Sequence, residues 1–237
     1  MTGSQLGPWV EGWLSAPRLA VYLSAVGGDR QIAVDLYEWN SALSAAFMHD
    51  LGHLEVALRN AYDAALTSGA VSGRPHWTQD AARYFPSVWR TAKNGARYDV
   101  NDEPRHQIAR AVGSAGTGSP GKAIAELTFG FWRYLSSAAH EVPLWRPYLH
   151  RAFLPGTSRA TVDAPVTRLH KFRNRVAHHE PLLRRDRLSG LMSLETGHLT
   201  DRCDDGLSIA GKISVDLRGY VAAHSQCSSI ISQRPTP

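Results

Sequence analysis

The stretch FRNRVAHHEP, residues 172–181, gathers an arginine, an asparagine and two histidines within a few positions. On a helix with about 100° between residues, His170, Arg173, Asn174 and His178 occupy one arc of about 140°. Histidine can transfer a proton near neutral pH, and arginine can bind a phosphate and stabilise charge that develops on it. Such a face suits cleavage of RNA by its own 2′-hydroxyl, a reaction that requires no metal ion.

The two adjacent histidines are not equivalent on this wheel. His178 lies one turn beyond Asn174 on the same arc, whereas His179 lies about 100° further round. We therefore take Arg173, Asn174 and His178 as the catalytic candidates, with His170 and His179 as supporting residues. The alternative is that these side chains form the solvated face of an amphipathic helix, and spacing by itself favours that alternative.

The helix that carries this arc has recognisable limits in the sequence. Asp163 is a suitable N-cap and Pro165 suits a first turn, so the helix is predicted to begin near residue 163. Pro181 disfavours helical backbone at the residue before it, so the helix is predicted to end near Glu180. The side that faces the core should hold three apolar residues: Leu169, Phe172 and Val176.

Other segments also have helical patterns. Apolar residues recur at three- and four-residue steps over residues 36–66, which predicts a long amphipathic helix. Residues 122–140 have a similar pattern, and residues 182–199 and 213–233 are weaker helical candidates. Because no alternating strand pattern and no internal repeat is present, the chain is predicted to be all-α.

Residues 67–121 are predicted to form a long irregular insertion, because glycines, prolines and polar residues interrupt its short helical pieces. Its run GSAGTGSPG, residues 113–121, is a flexible loop by composition. Basic residues of the insertion could contact RNA, although scattered arginines more often belong to an ordinary surface. These residues are Arg83, Arg90, Lys93, Arg97, Arg105 and Arg110.

Several motifs, taken in order, resemble one protein family. RNRVAH, residues 173–178, is similar to the arginine–polar–(three or more residues)–histidine motif of HEPN domains, α-helical domains of which many are metal-independent ribonucleases. YEWNSALSAAFMHDLGHLEVALRN, which starts at Tyr37, resembles the early helix of Abi-like (abortive infection) HEPN proteins. AELTFGFWRYL, PLWRPYLHRAF, RNRVAHHEP and SQRP follow in the family's order. The resemblance covers most of the chain from about residue 36.

This resemblance implies an HEPN-like helical bundle over residues 36–237, preceded by an N-terminal extension, residues 1–35. It implies an endoribonuclease that acts in phage defence or as a toxin, with RNA as its substrate. It also implies a homodimer in which two motif helices meet, so that one cleft contains two copies of Arg173 and His178. If the protein is a toxin, an antitoxin or another regulatory partner could bind it.

Glu55, Arg59 and Asn60 lie in the long predicted helix and have two interpretations. The i, i+4 spacing of Glu55 and Arg59 allows an ordinary helix salt bridge. By the family resemblance, the same polar set could instead lie beside the motif helix and orient Arg173 or His178. The sequence leaves both interpretations open.

Basic residues beyond the arc should point towards solvent: Arg168, Lys171 and Arg175. Lys171 and Arg175 are therefore candidates for RNA binding. The basic run of residues 183–187 comes directly after the motif and by default is a solvated charged turn. Its position beside the arc makes Arg184 and Arg185 candidates for contact with the RNA backbone.

Other reactive side chains have ordinary structural explanations. His49 and His53 are four residues apart but lack a third metal ligand, and Cys203 and Cys227 form no CxxC pair and are predicted to be reduced. Three aromatic residues could stack on bases, but aromatic residues at helical spacing usually pack in the core: Phe131, Trp132 and Trp145. No metal ion or other cofactor is predicted.

Composition sets outer limits on the function. A formal net charge of +5 and a pI near 9.4 allow an anionic partner such as RNA without requiring one. No stretch approaches the roughly 20 apolar residues of a membrane span. The first residues also lack the basic and apolar parts of a secretory signal, so we predict a cytoplasmic protein.

Three functions compete at this level. The leading hypothesis is an HEPN endoribonuclease, because a titrating histidine beside arginine and asparagine suits catalysis. The second is a non-catalytic HEPN module that binds RNA, a nucleotide or a protein. The third is a structural helical adaptor, which leaves the polar arc without an explanation.

Overall fold

The computed structural model of the protein describes residues 6–69, 73–116, 119–186, 190 and 192–237. Helices dominate this part of the chain, and the all-α prediction is confirmed. The α-helices are α1 (Trp9–Leu14), α2 (Ala16–Ala25), α3 (Arg30–Ser68), α4 (Ala81–Tyr84), α5 (Asp102–Ala115), α6 (Pro120–Glu126), α7 (Phe129–Leu135), α8 (Arg159–Ala177), α9 (Gly197–Ile213), α10 (Val215–His224) and α11 (Cys227–Ser232). Short 3-10 helices cover Trp77–Gln79, Ala138–His140 and Leu149–Ala152, and one turn of π-helix covers Glu141–Trp145.

Two small antiparallel sheets complete the fold. Strands β1 (Trp89–Thr91) and β2 (Arg97–Asp99) pair with Arg90 opposite Tyr98. Strands β3 (Arg184–Arg185) and β4 (Met192–Ser193) form the second hairpin. The sequence shows no alternating pattern at these two places, because strands of two or three residues are too short to produce one.

Helix α3 is the central element, and the sequence pattern predicted it well. The Asp29 side chain accepts a hydrogen bond from the Ile32 amide at 2.9 Å, so the helix starts earlier than residue 36. Its apolar stripe is buried along most of its length: Leu43, Phe47, Leu51, Leu54, Leu58 and Tyr62. Gly69 caps its C-terminal end, and a Cβ atom there would lie only 2.3 Å from the Tyr148 ring. The close approach of Tyr148 therefore requires glycine.

Helix α8 carries the polar arc and begins earlier than predicted. Its N-cap is Ser158, whose hydroxyl accepts a hydrogen bond from the Thr161 amide at 3.4 Å. Asp163 lies inside the helix and bonds Arg159 and Thr167 instead. Pro165 is buried within the helix, where it leaves one carbonyl without its usual amide donor.

Three other predicted segments were wrong in their boundaries. The segment 122–140 is interrupted at Leu127, whose backbone is extended, and Thr128 then caps α7. Residues 182–186 are extended rather than helical, and Arg187 lies outside the described residues. The segment 213–233 is two helices, because Ser225 and Gln226 separate α10 from α11. In the insertion, α5 reaches Ala115 and α6 starts at Pro120, so the predicted loop 113–121 is shorter than its composition suggests.

The N-terminal helices pack into the same hydrophobic core as the rest. Val10, Leu14, Leu19 and Tyr22 are all buried in that core, and α2 packs along α3. Within the described ranges, no helix is long and apolar enough to cross a membrane. Residues 1–35 are thus held against the predicted domain 36–237 wherever the structure describes them.

Candidate functional site

Helix α8 is held by three neighbours, α3, α7 and α9. Phe172 meets Phe47 of α3 edge to face, with ring centroids 4.7 Å apart. Leu169 and Val176 are buried on the same side, so the predicted core face is confirmed. The polar arc is thereby placed on a rigid, well-packed helix rather than on a loop.

Arg173 has a buried polar atom without a partner. Its Nε atom is buried and has no hydrogen-bond partner. Among the described residues, no carboxylate forms an ion pair with its guanidinium. Asn174 is half-buried beside it. The Arg173 guanidinium is therefore available to bind an anion.

His170 packs against α7, which covers its ring. The imidazole meets the Phe129 ring at 5.9 Å between centroids, and a Cβ atom on Gly130 would lie 3.2 Å from its Nε2. Burial lowers the pKa of His170, and the positive charges of Arg133 and Arg173 lower it further. His170 is therefore a neutral imidazole at neutral pH.

Arg133 is a functional candidate that sequence reasoning missed. It comes from α7, far from the motif in sequence, and its Nε donates to the Thr167 hydroxyl of α8 at 3.2 Å. Thr167 in turn donates to Asp163, so the link from Arg133 to a carboxylate is indirect. The only available signal was a basic residue inside the family-like segment AELTFGFWRYL.

The C-terminal end of α8 separates the two adjacent histidines. The helix ends at Ala177, not near Glu180, with His178 as its C-cap. His179 has a left-handed backbone, φ 53°, and its amide donates to Val176 at 3.0 Å. The Glu180 amide donates to the Arg175 carbonyl at 2.9 Å, which completes a helix-ending turn that usually has glycine at the position of His179. His178 stays exposed at the end of the arc, whereas His179 turns away from it.

The other basic residues of α8 are mostly committed to local partners. Arg168 is bound to Asp205 through two hydrogen bonds, the one from Nε at 2.9 Å, so it is not a free solvent cation. Arg175 donates to Glu180 and to the Pro181 carbonyl, where it stabilises the turn. Lys171 is exposed and, in the described part of the chain, has no ion pair.

The basic hairpin lies beside this end of the helix. Arg184 and Arg185 are exposed on β3, and Arg185 donates to the Gly190 carbonyl at 2.8 Å. The hairpin is anchored because the Leu182 amide donates to the Asn40 side chain of α3 at 2.7 Å. Because both arginine side chains are exposed, they can contact a polyanion near the motif.

No hydrogen bond or ion pair joins Glu55, Arg59 or Asn60 to the arc among the described residues. Among the described residues, Glu55 forms no ion pair with Arg59, whose Nε instead lies 3.4 Å from the Asn60 side chain. Phe47 is the α3 residue that meets Phe172, and eight further residues along α3 correspond to about 12 Å of helix. In the part of the chain that the structure describes, Glu55 forms no ion pair with Arg173 or His178.

The remaining candidates have structural surroundings. Phe131, Trp132 and Trp145 are buried in the core, as predicted. In the insertion, Arg105 is paired with Asp99 at 2.6 Å and Arg110 with Glu103 at 3.1 Å, while Arg97 lies over the Trp89 ring. Two of the six basic candidates of the insertion are thus paired with carboxylates, and a third contacts an aromatic ring.

His49 and His53 touch each other, with their Nε2 atoms 3.3 Å apart. The part of the chain that the structure describes contains no group of three or more histidine, cysteine or carboxylate side chains suited to a metal ion. Cys203 and Cys227 are both free thiols. None of these residues adds to the arc.

No protein-family model matches this chain, and comparisons with characterised proteins and with solved structures found no significant match. The functional interpretation therefore depends on the residues themselves. These residues form a cationic surface on α8 and α7. The neutral imidazole of His170 lies within it, and the exposed imidazole of His178 lies at its end.

Proposed function

We propose that this protein is a metal-independent endoribonuclease of the HEPN type, acting in the cytoplasm in abortive infection or as a toxin. Its substrate is RNA, and its reaction is attack of a 2′-oxygen on the adjacent phosphorus. A 2′,3′-cyclic phosphate and a 5′-hydroxyl are the products.

One observation supports this proposal above all others. Helix α8 contains four arginines, and three of them have carboxylate partners: Arg159 with Glu141 and Asp163, Arg168 with Asp205, and Arg175 with Glu180. Arg173 has none within the described residues, although it is half-buried. A partly buried cation without a counter-charge is costly in the free protein and becomes favourable when an anion binds.

The groups around Arg173 suit a phosphodiester. Arg173 and Arg133 would bind the phosphoryl oxygens and stabilise the negative charge that increases in the transition state. His178 would transfer a proton, as a base on the 2′-hydroxyl or as an acid on the leaving 5′-oxygen. Neutral His170 can donate one hydrogen bond without adding a third charge to the site. Asn174 would orient the ribose or the His178 ring.

The isolated chain leaves His178 without an orienting partner. No hydrogen bond to its ring is present among the described residues, whereas catalytic histidines are usually fixed by a second group. A second protomer that faces this helix would supply such a group. We therefore propose a two-fold homodimer with the two arcs facing each other across one cleft.

The absence of an orienting partner for His178 also favours a second candidate function. A non-catalytic module that binds RNA would use Arg133, Arg173 and Lys171 without any need to fix His178. The two functions differ in whether RNA is cut or only bound.

The deciding experiment is incubation of the purified protein with total RNA in EDTA. We expect cleavage by the wild type, and a loss of about 100-fold or more in rate with Arg173→Ala. Arg218→Gln, which removes an exposed arginine of α10, is the matched control and should cleave normally. RNA that is bound but never cut would favour the binding module.

A further inference from the structure

A small cavity lies between α2, α3 and the C-terminal end of α8. Its volume is about 190 Å³, and His179 forms part of its wall because the left-handed turn directs the chain there. The polar residues that line it include Arg18, Tyr37, Asn40 and Ser44. Two adjacent residues, His178 and His179, thus belong to two different surfaces.

The cavity wall is positively charged and has an unused hydrogen-bonding group. Of the residues that line it, none carries a carboxylate. Arg18 forms no ion pair in the part of the chain that the structure describes. Ser44 is only 8% exposed, and its hydroxyl has no hydrogen-bond partner. Because buried hydroxyls are nearly always paired, the Ser44 hydroxyl is free to bond a water molecule or a polar ligand group in the cavity.

Exposed aromatic rings lead from the surface to this cavity. Tyr37 meets the Trp13 ring edge to face at 5.3 Å, and Trp13 stacks on Trp9 at 6.0 Å. Both tryptophans are more than half exposed, at 51% and 56%. Unpaired bases stack on such rings, and a neighbouring cation can then bind the phosphate.

The size of the cavity suits a small polar group. A volume of about 190 Å³ has room for a phosphate group. A base attached to that phosphate would remain outside, beside Trp13.

We propose that this cavity is a second RNA-binding subsite, in which Arg18 and His179 hold a backbone phosphate while an unpaired base stacks on Trp13. The inference rests on the proposed function, since it places a neighbouring nucleotide of the same single-stranded RNA next to the cleavage site. Arg184 and Arg185, on the hairpin whose strand β4 packs against α2, extend the positive surface for the strand. The ligand class is single-stranded RNA rather than a duplex, because stacking requires an unpaired base.

The test separates binding from cleavage by the choice of probe. A fluorescein-labelled RNA of roughly twelve nucleotides with 2′-O-methyl groups has no free 2′-hydroxyl and cannot react, so its anisotropy reports binding alone. We expect Arg18→Gln and Trp13→Leu each to weaken binding about tenfold. Arg18→Gln should also lower the slope of log K against log salt by about 0.7, the value for one phosphate contact on a single strand. The probe should quench tryptophan fluorescence in the wild type, and less so in Trp13→Leu.

Two variants on α10 are the controls, Arg218→Gln for the lost charge and Tyr220→Leu for the lost exposed ring. Both should bind the probe with wild-type affinity. Equal affinities for the wild type, Arg18→Gln and Trp13→Leu would overturn the subsite, and so would a wild type that binds no probe. A Trp13→Leu protein that loses only self-association, measured by sedimentation, would overturn it as well and assign the tryptophans to a protein interface.

Failure of the subsite and failure of the nuclease give different results. On cleavable RNA, Arg18→Gln and Trp13→Leu should raise KM about tenfold and leave kcat close to the wild-type value. If no RNA is ever cut but probe binding still depends on Arg18 and Trp13, the subsite stands and the nuclease proposal fails. If cutting depends on Arg173 but binding does not depend on Arg18, the nuclease proposal stands and the subsite fails.

Discussion

Arg173 follows His170 by one turn of α8, and its guanidinium helps to keep the His170 ring uncharged. Arg133 of α7 also lowers the pKa of this ring, so two cations and one neutral imidazole share a surface on which, among the described residues, neither cation has a paired carboxylate. This grouping brings together residues that are about 40 positions apart, and it is the part of the candidate site that only the folded chain reveals.

The first prediction concerns the pKa of His170. Replacing Arg173 with glutamine removes one of the positive charges that oppose protonation, so the His170 pKa should rise, and NMR titration of the ring protons would measure it. Arg218→Gln should leave that pKa unchanged. An unchanged His170 pKa in Arg173→Gln would show that the two side chains are not close neighbours in solution.

A second prediction concerns stability at mildly acidic pH. Burial lowers the pKa of three histidines in the folded state: His140, His170 and His198. The unfolded chain binds protons on these residues below about pH 6.5, whereas the folded chain does so only at lower pH. These histidines should therefore make their full contribution to stability above about pH 6.5. The free energy of unfolding should decrease as the pH falls below that value.

Urea unfolding at about pH 7.5 and about pH 5.5 would measure this loss in a range where most carboxylates stay ionised. His170→Gln should lose less stability between the two pH values than the wild type. Equal losses would mean that the His170 pKa is the same in the folded and in the unfolded chain.

The third prediction separates the two adjacent histidines. His178→Ala should lower the cleavage rate by about 100-fold or more, because it removes the proton-transfer group. His179→Ala should lower it less, since His179 lies off the arc. The reverse order of losses would assign the catalytic role to His179.

The backbone at His179 offers a fourth prediction. Both His179→Gly and His179→Ala remove the imidazole, but glycine accepts the left-handed conformation that alanine resists. The glycine variant should be more stable than the alanine variant by about 1 kcal/mol in urea unfolding. Equal stabilities would indicate that the helix-ending turn relaxes when the histidine is removed.

Assembly gives the fifth prediction. Light scattering at high micromolar concentration should detect a dimer, and mixing Arg173→Ala protein with His178→Ala protein should give more activity than either variant alone. In the mixed dimer, one protomer supplies His178 and the other supplies Arg173 to the shared cleft. A monomer at every concentration, with no recovery on mixing, would rule out the composite site.

The sequence predicted the elements whose side chains repeat regularly. The stripe from Leu43 to Tyr62 and the buried side of α8 were readable because burial of one helix face imposes a three- and four-residue period. The start of α8 was not readable, because Ser158 and Asp163 are both competent caps and the helix begins after the earlier one. The end of α8 was missed because a left-handed histidine replaces the expected glycine.

The candidate site was predictable only along the motif helix. Arg173, Asn174 and His178 share one helix, so helix geometry alone relates them. Arg133 reaches the site from another helix, and Arg175 and Arg168 are paired with carboxylates that spacing does not reveal. Likewise, one of the two interpretations left open for Glu55 and Arg59, an ion pair between them, is absent from the described residues although their spacing allows it.

The most direct test is cleavage of one defined RNA oligonucleotide in EDTA, with the end groups of the products identified by mass spectrometry. Wild-type protein should yield a 2′,3′-cyclic phosphate and a 5′-hydroxyl, and Arg173→Lys should react at least about 100-fold more slowly because it loses the planar fork. A parallel substrate with a single 2′-deoxy sugar at the cut site should stay intact. Cleavage of that deoxy substrate, or a strict requirement for magnesium, would contradict the account.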